Sequence, residues 1–276
     1  MQLGIFAKTF PGITPGEVLC AARNAGYETV QYNMACSGLP SLPETIAPPV
    51  IDAVSSATRV SGVSIAALSA TYNMIHPDLT VREAGRRAFA ALAAAAPAMG
   101  TRLLTVCTGS RDAADQWRHH PENASPGAWQ DLVAEFRHLL PVAERHGIVI
   151  GVEPELGNVV SSAAKARALL DLFASDRIGI VLDPANLFEA EPEQERERRI
   201  REAIALLGPE IVLAHAKDRH PDGSFATAGD GVVDFPRFIA DLRSAGFDGP
   251  LVTHGLDAKD AARVSAFLRA SGAAAA

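Results

Sequence analysis

Four short apolar runs in the second half of the chain each end in a residue able to bind a divalent metal. They are IGVEP with Glu153, GIVLDP with Asp183, IVLAHAKD with His215 and LVTHG with His254. Successive members lie 30, 32 and 39 residues apart. That spacing leaves room for a strand, a helix and the return to the next strand. Four ligands at the same end of neighbouring parallel strands can therefore converge on one point. Two carboxylates and an imidazole suit one divalent ion, Mn²⁺, Zn²⁺, Mg²⁺, Co²⁺ or Fe²⁺, and the donor set does not choose among them. Taken singly, Glu153 or Asp183 could be half of a structural ion pair, and His215 or His254 a satisfied core histidine. The constellation is what raises them together.

The elements that must position these residues alternate along the whole chain. Strand-like runs cover 3–7, 29–33, 63–69, 102–108, 148–154, 178–184, 211–217 and 250–256, with helical stretches between them. Most of the runs are apolar throughout, as expected of strands buried on both faces. Eight β units, each followed by α, predict an α/β fold, a single (β/α)₈ barrel over residues 1–276, with 271–276 as a frayed tail. Helix starts support the phasing. Thr14-Pro15-Gly16-Glu17 and Thr80-Val81-Arg82-Glu83 read as capping boxes, and Ser125-Pro126 as a cap followed by a first-turn proline. Gly26, Gly62, Gly100, Gly147 and Gly246 each precede a strand, where a helix C-terminus favours the left-handed conformation. The longest loops, 108–126 and 218–233, follow the fourth and seventh strands and so fall on the catalytic face of a barrel. The charged run 189–202 reads as a solvated helix.

Composition sets outer bounds. The 276 residues are 48% hydrophobic and 21% charged, with a formal net charge of −7. An acidic surface argues against nucleic acid, whose binding needs many basic side chains, but leaves room for a small anionic substrate. No run approaches the roughly 20 apolar residues of a membrane span. No signal peptide is read at MQLGIFAKTF. Three separated cysteines, Cys20, Cys36 and Cys107, point to reduced thiols and a cytoplasmic protein. Cys20 is expected in a helix core, and Cys107, ending LLTVC, in the core or lining the pocket. No phosphate loop, dinucleotide fingerprint or GxSxG elbow is present.

The motifs GVEPE, VLDPANLF, AHAKD and AGDG–VVDF resemble the sugar phosphate isomerase/epimerase family of xylose isomerase-like barrels. That family includes tagatose and psicose 3-epimerases, inosose dehydratase- and isomerase-type enzymes and, more distantly, endonuclease IV. The resemblance covers nearly the whole chain and lies in the order and spacing of the motifs. It implies a metal held after the fifth, sixth, seventh and eighth strands by Glu, Asp, His and Glu. Glu153, Asp183 and His215 match the first three. The His-x-Lys-Asp motif falls on His215, Lys217 and Asp218, and Asp234 should cap the next helix.

The eighth strand departs from this pattern. His254 stands where the epimerases place glutamate, so it is expected either as the fourth ligand or as an acid or base. Two metal-bound glutamates on opposite substrate faces would serve symmetric epimerisation. With one replaced by imidazole, isomerisation, dehydration or β-elimination fits at least as well. Gln31 replaces an acid of the second strand, and Asn186 stands where some members have His, which favours one metal over several. His76, Glu155, Asn186, Trp117 and Arg219 join Gln31 as expected substrate contacts. Packing, capping, a rim ion pair or an oligomer contact are their alternatives.

These readings predict a cytoplasmic metal-dependent isomerase or epimerase acting on a small carbohydrate, ketose or cyclitol through a metal-stabilised enediolate. Glu153, His254 and Lys217 would carry the catalysis, and a homo-oligomer is allowed. A sugar lyase or dehydratase on the same site is the nearest rival. A non-catalytic sugar-binding barrel and an endonuclease IV-like enzyme are further ones.

Overall fold

The computed structural model describes residues 1–273. Eight parallel strands close a barrel. They are β1 (Gln2–Phe6), β2 (Thr29–Tyr32), β3 (Ser64–Ser69), β4 (Leu103–Cys107), β5 (Val149–Glu153), β6 (Ile178–Leu182), β7 (Ile211–Ala216) and β10 (Pro250–Thr253). Two short strands, β8 (Asp218–Arg219) and β9 (Phe225–Ala226), form an antiparallel hairpin in the loop after β7. Each expected strand is thus present within a few residues of its predicted bounds. Eight helices separate and cover them: α1 (Pro15–Asn24), α2 (Pro48–Ser61), α3 (Leu79–Ala95), α4 (Pro126–His146), α5 (Ala163–Phe173), α6 (Glu193–Leu207), α7 (Phe235–Ser244) and α8 (Ala261–Ala270). The seam pairs the first strand with the last, Gln2 with Pro250 through Ile5 with Thr253.

The pleat decides what fills the barrel. Ala67, Leu103, Val181, Leu213 and Val252 form an apolar cluster in its lumen. Side chains on one face of a strand recur every second residue. Two positions further along the same strands come Ser69, Thr105, Asp183, His215 and His254. The apolar layer is therefore a floor, and the polar layer above it opens toward the C-terminal mouth.

Most helix signals act as expected. Thr14 and Glu17 form a reciprocal capping box, and the Ser125 and Asp234 side chains accept from Ala128 and Arg237 amides. The five glycines before strands all have positive φ. Three expectations need correction. Helix α3 starts at Leu79 under an Asp78 cap, because the Asp78 carboxylate takes the Thr80 amide and leaves Thr80 inside the helix. Cys20 is exposed, since α1 turns Val18, Leu19 and Ala22 inward and the residue between them to solvent. Fraying does not begin at Ser271: Ala273 is buried and its amide donates to the Leu268 carbonyl. The rest of the expected tail, 274–276, lies outside the described residues. No helix among the described residues is long and apolar enough to cross a membrane.

Candidate metal centre

Glu153 ends β5, Asp183 follows β6 directly and His215 is the penultimate residue of β7. Three adjacent strands thus deliver them to one place. A ligand atom from each lies within 4.8 Å of the others. His215 Nδ1 stands 3.1 Å from Glu153 Oε1 and 3.8 Å from Asp183 Oδ2. Asp183 is 1% exposed and uses Oδ1 to accept from the Ala185 amide. Its Oδ2 is buried without any hydrogen-bond partner. An orphaned carboxylate oxygen in an apolar setting is costly, and a cation removes that cost. The donors present therefore fit a divalent ion.

Electrostatics agree. Burial lifts the Asp183 carboxyl to about 6, despite the nearby Lys217. Burial also opposes charge on Glu153, but the adjacent His215 outweighs it and holds that carboxyl well below the usual range. Burial likewise opposes charge on His215, and Glu153 and Asp183 win, so its pKa rises. A cation held between these side chains would take over the favourable interaction with both carboxylates, and its binding would favour His215 in the neutral form.

Gln31 decides which imidazole nitrogen faces the carboxylates. Its Oε1, an acceptor only, lies 2.8 Å from His215 Nε2, so Nε2 carries hydrogen. The Gln31 amide nitrogen donates to Ser69 Oγ and Thr105 Oγ1, which fixes it in turn. Gln31 is 5% exposed and its polar atoms are occupied, so it orients His215 as well as lining the cavity. Removing such an orienting partner typically costs about 10–100-fold in metal affinity. Gln31→Leu should weaken Mn²⁺ binding by that factor, read by titration calorimetry, while leaving the fold intact by circular dichroism. An unchanged affinity would show that the contact orients nothing.

His254 follows β10 and borders the trio, its ring 5.3 Å from that of His215 and stacked at 4.9 Å on Phe6. Its Nδ1 is buried and unpartnered. Burial, and then the charge of His215, press its pKa down to about 3, so the ring is neutral near pH 7. The three-residue cluster of candidate ligands does not include it.

Above the trio lies a cavity of about 800 Å³. Glu155, Lys217, Asn186, Trp117 and Arg219 line it. Asn186 donates to Glu153 Oε1 at 2.9 Å and so holds the carboxylate in place. Burial, and then the charge of Glu153, push the Glu155 carboxyl up to about 8. Lys217 rests its ammonium 3.4 Å from the centre of the Phe225 ring. Arg219 spends donors on the carbonyls of Ala185 and Gly223, which ties it to the loop as much as to the cavity.

His76 is not among the cavity-lining residues. Its Nδ1 accepts from the Asp78 amide and its Nε2 donates to the Ala113 carbonyl, so both nitrogens brace the loop before α3. Its expected substrate contact is not supported by this placement. Phe6, Lys8 and Phe225 line the cavity and were not singled out from the sequence. Phe6 had a usable signal, because it is the last residue of β1, whereas Lys8 sits in the 3-10 turn Ala7–Thr9 that follows and has no strand alternation. Phe225 had none, since it arrives on a hairpin inside a long loop.

That hairpin is held from below. The buried Asp218 carboxylate accepts four backbone amides, those of Arg219, Gly229, Gly231 and Val233. A Cβ at Gly231 would lie 2.2 Å from the Arg219 carbonyl oxygen and 2.4 Å from Asp218 Oδ1, so only glycine fits there. The AGDG motif is therefore the return path of the loop that carries Lys217 and Phe225.

With this geometry in view, the chain can be placed. Residues 19–270 match the xylose isomerase-like TIM barrel family, and the chain belongs to that family. No curated protein matches it significantly. Among solved structures it is similar to 3-keto-D-glucoside 4-epimerase from E. coli, with 17% identity, a TM-score of 0.78, and 98% of this chain and 99% of that one covered. It is similar to D-allulose 3-epimerase from Methylomonas sp. in complex with D-allulose, with 18% identity, a TM-score of 0.69, and 92% and 83% covered. A xylose isomerase-like barrel from Mycobacterium smegmatis in complex with magnesium gives 16% identity, a TM-score of 0.68, and 94% and 88% covered. Identities this low establish the shared fold.

Proposed function

We propose that this chain is a divalent-metal-dependent isomerase or epimerase of a sugar, ketose or cyclitol bearing a carbonyl beside a carbinol. The observation that carries the reading is the trio Glu153, Asp183 and His215 at the barrel mouth, with Asp183 Oδ2 left unpartnered. The sugar epimerases and the magnesium complex among its structural relatives support the substrate class and the ion. Glu153, Asp183 and His215 would hold the ion. When bound, such an ion supplies Lewis acidity toward a carbonyl and a neighbouring hydroxyl oxygen.

The chain's own residues supply the proton chemistry. Glu153, held by Asn186, removes the proton from the carbon beside the carbonyl. Lys217 offsets the negative charge of the resulting enediolate. His254, neutral and on the β10 side of the cavity, either accepts and returns the second proton or completes the ligand set. Trp117 covers the mouth, and Glu155 and Arg219 contact the substrate rim. A lyase reading shares the first half of this path. It is favoured by one observation, imidazole in place of the second carboxylate, which breaks the symmetry that epimerisation exploits.

The test is solvent exchange. Mn²⁺-loaded protein incubated with ketoses, keto-glycosides and inososes in D₂O should place deuterium on the carbon beside the carbonyl, read by NMR. His254→Gln should separate its two roles. If it only delivers the second proton, exchange continues while product falls; if it is a ligand, both fall with metal content. No exchange and no turnover across the panel with a loaded enzyme would remove the isomerase and the lyase together. A non-catalytic sugar-binding barrel would then stand.

A further inference from the structure

Two groups in the cavity wall have no task in the chemistry above: the Cys107 thiol and the face that Glu155 turns toward it. Cys107 and Glu153 are direct lateral partners in the β4–β5 register. Both point inward, and Glu155 follows on the same face one pleat higher. Cys107 Sγ lies 3.1 Å from Glu155 Oε1 and 3.8 Å from Glu153 Oε2. A ligand atom from each of the three lies within 4.8 Å of the others.

Glu153 therefore faces two ways. Its Oε1 meets His215 and Asn186, and its Oε2 meets only sulfur. A residue 9% exposed thus keeps one carboxylate oxygen without any N–H or O–H donor. A thiol is a weak donor and does little to satisfy two neighbouring carboxylates. Burial and the two carboxylates also keep the thiol protonated in the metal-free protein, so it is no nucleophile. One soft sulfur and two carboxylate oxygens, converging on a wall that opens to a cavity, are instead a donor set for a thiophilic d¹⁰ cation.

We infer that Cys107, Glu155 and Glu153 Oε2 form a second cation subsite, selective for Zn²⁺ or Cd²⁺ and joined to the first centre through Glu153. The inference rests on the reading of Glu153, Asp183 and His215 as that first centre. On binding, the S–H bond breaks, its proton leaves to solvent and a sulfur–metal bond forms, with no change of oxidation state. Three protein donors leave a position open to the cavity. Hard ions such as Mg²⁺ enter only the first centre, because they avoid thiolate. An ion in the second subsite occupies the oxygen through which Glu153 would take a proton, so Zn²⁺ in excess inhibits.

Cadmium titration of the full chain tests this. Wild type should bind two Cd²⁺ per chain and develop the ultraviolet sulfur-to-cadmium charge-transfer band, and cadmium NMR should show two resonances. Mg²⁺ should saturate at one ion per chain. Cys107→Ser should bind one Cd²⁺ without the band, and Glu155→Gln should weaken the second site by at least about 10-fold, as loss of a ligand or its support does. Asp183→Asn should lose the first ion and keep the band, which shows the second subsite independently of the first. One Cd²⁺ per chain with no band overturns the inference. So does a band that survives Cys107→Ser, which would place the sulfur at Cys20 or Cys36. A band lost in Asp183→Asn also overturns it, since one shared site would then explain everything. Absence of all Cd²⁺ and Mn²⁺ binding would instead bring down the first centre.

Discussion

Replacing Asp183 by asparagine is expected to stabilise the metal-free protein and to erase the stabilisation that added Mn²⁺ gives the wild type. The two effects have one cause. Asp183 is buried, and its Oδ2 finds no donor beside the charge of Glu153. The amide keeps the Oδ1 contact to the Ala185 amide and removes a charge that burial disfavours. A ligand that binds only the folded state stabilises it by about 2.7 kcal/mol at 100 times its dissociation constant. For a chain of this size that is a rise of several degrees in Tm. The variant should show a higher Tm than wild type in chelator and no rise with Mn²⁺. Its metal affinity should fall by more than the roughly 100-fold that marks loss of an outer partner. A variant that is less stable without metal and still shifts with Mn²⁺ would make Asp183 a structural residue and move the centre elsewhere.

Glu153→Gln should cut proton exchange into the substrate by about 10²–10⁴-fold, the usual cost of losing a general base. The shape is kept, and the glutamine oxygen can still accept from Asn186 at the position of Oε1. Metal content must be measured alongside, because Glu153 is also a proposed ligand. Loss of exchange at full metal content identifies the base. Loss of both together leaves only the ligand role. Full exchange in the variant would pass the role to Glu155, which lies on the same face and also lines the cavity.

The fold was legible because two periodicities agreed. Apolar runs at barrel spacing gave the strands, and caps and glycines gave the breaks between them. The trio was legible for the same reason: Glu153, Asp183 and His215 each interrupt an apolar run at its C-terminal end, where burial of a polar group needs a purpose. The contacts between them were not. Nothing in the order of residues says that Gln31 reaches across the barrel to His215, or that Ser69 and Thr105 hold Gln31. Those contacts depend on how far β2, β3 and β4 are staggered when the ring closes. His76 misled because a histidine after a strand looks the same whether its nitrogens face a cavity or brace a turn. Only the neighbouring Asp78 amide and Ala113 carbonyl decide it. Phe225 was hidden because a hairpin inside a loop obeys no barrel alternation.

The seam between β1 and β10 has a consequence for the order in which the molecule is made. β5, β6 and β7 are neighbours in sequence and in space, so the candidate metal trio needs only local strand pairing and no part of the seam. Phe6 and His254 stack across that seam, and β1 must wait for the last strand of the ring before its free edge is covered. Pairing across such a separation is the slow, non-local step of folding. A ribosome-bound chain would thus own the three candidate metal ligands before it owns the imidazole beside them. A cation captured then would clasp the central strands while both edges of the unfinished ring were still open.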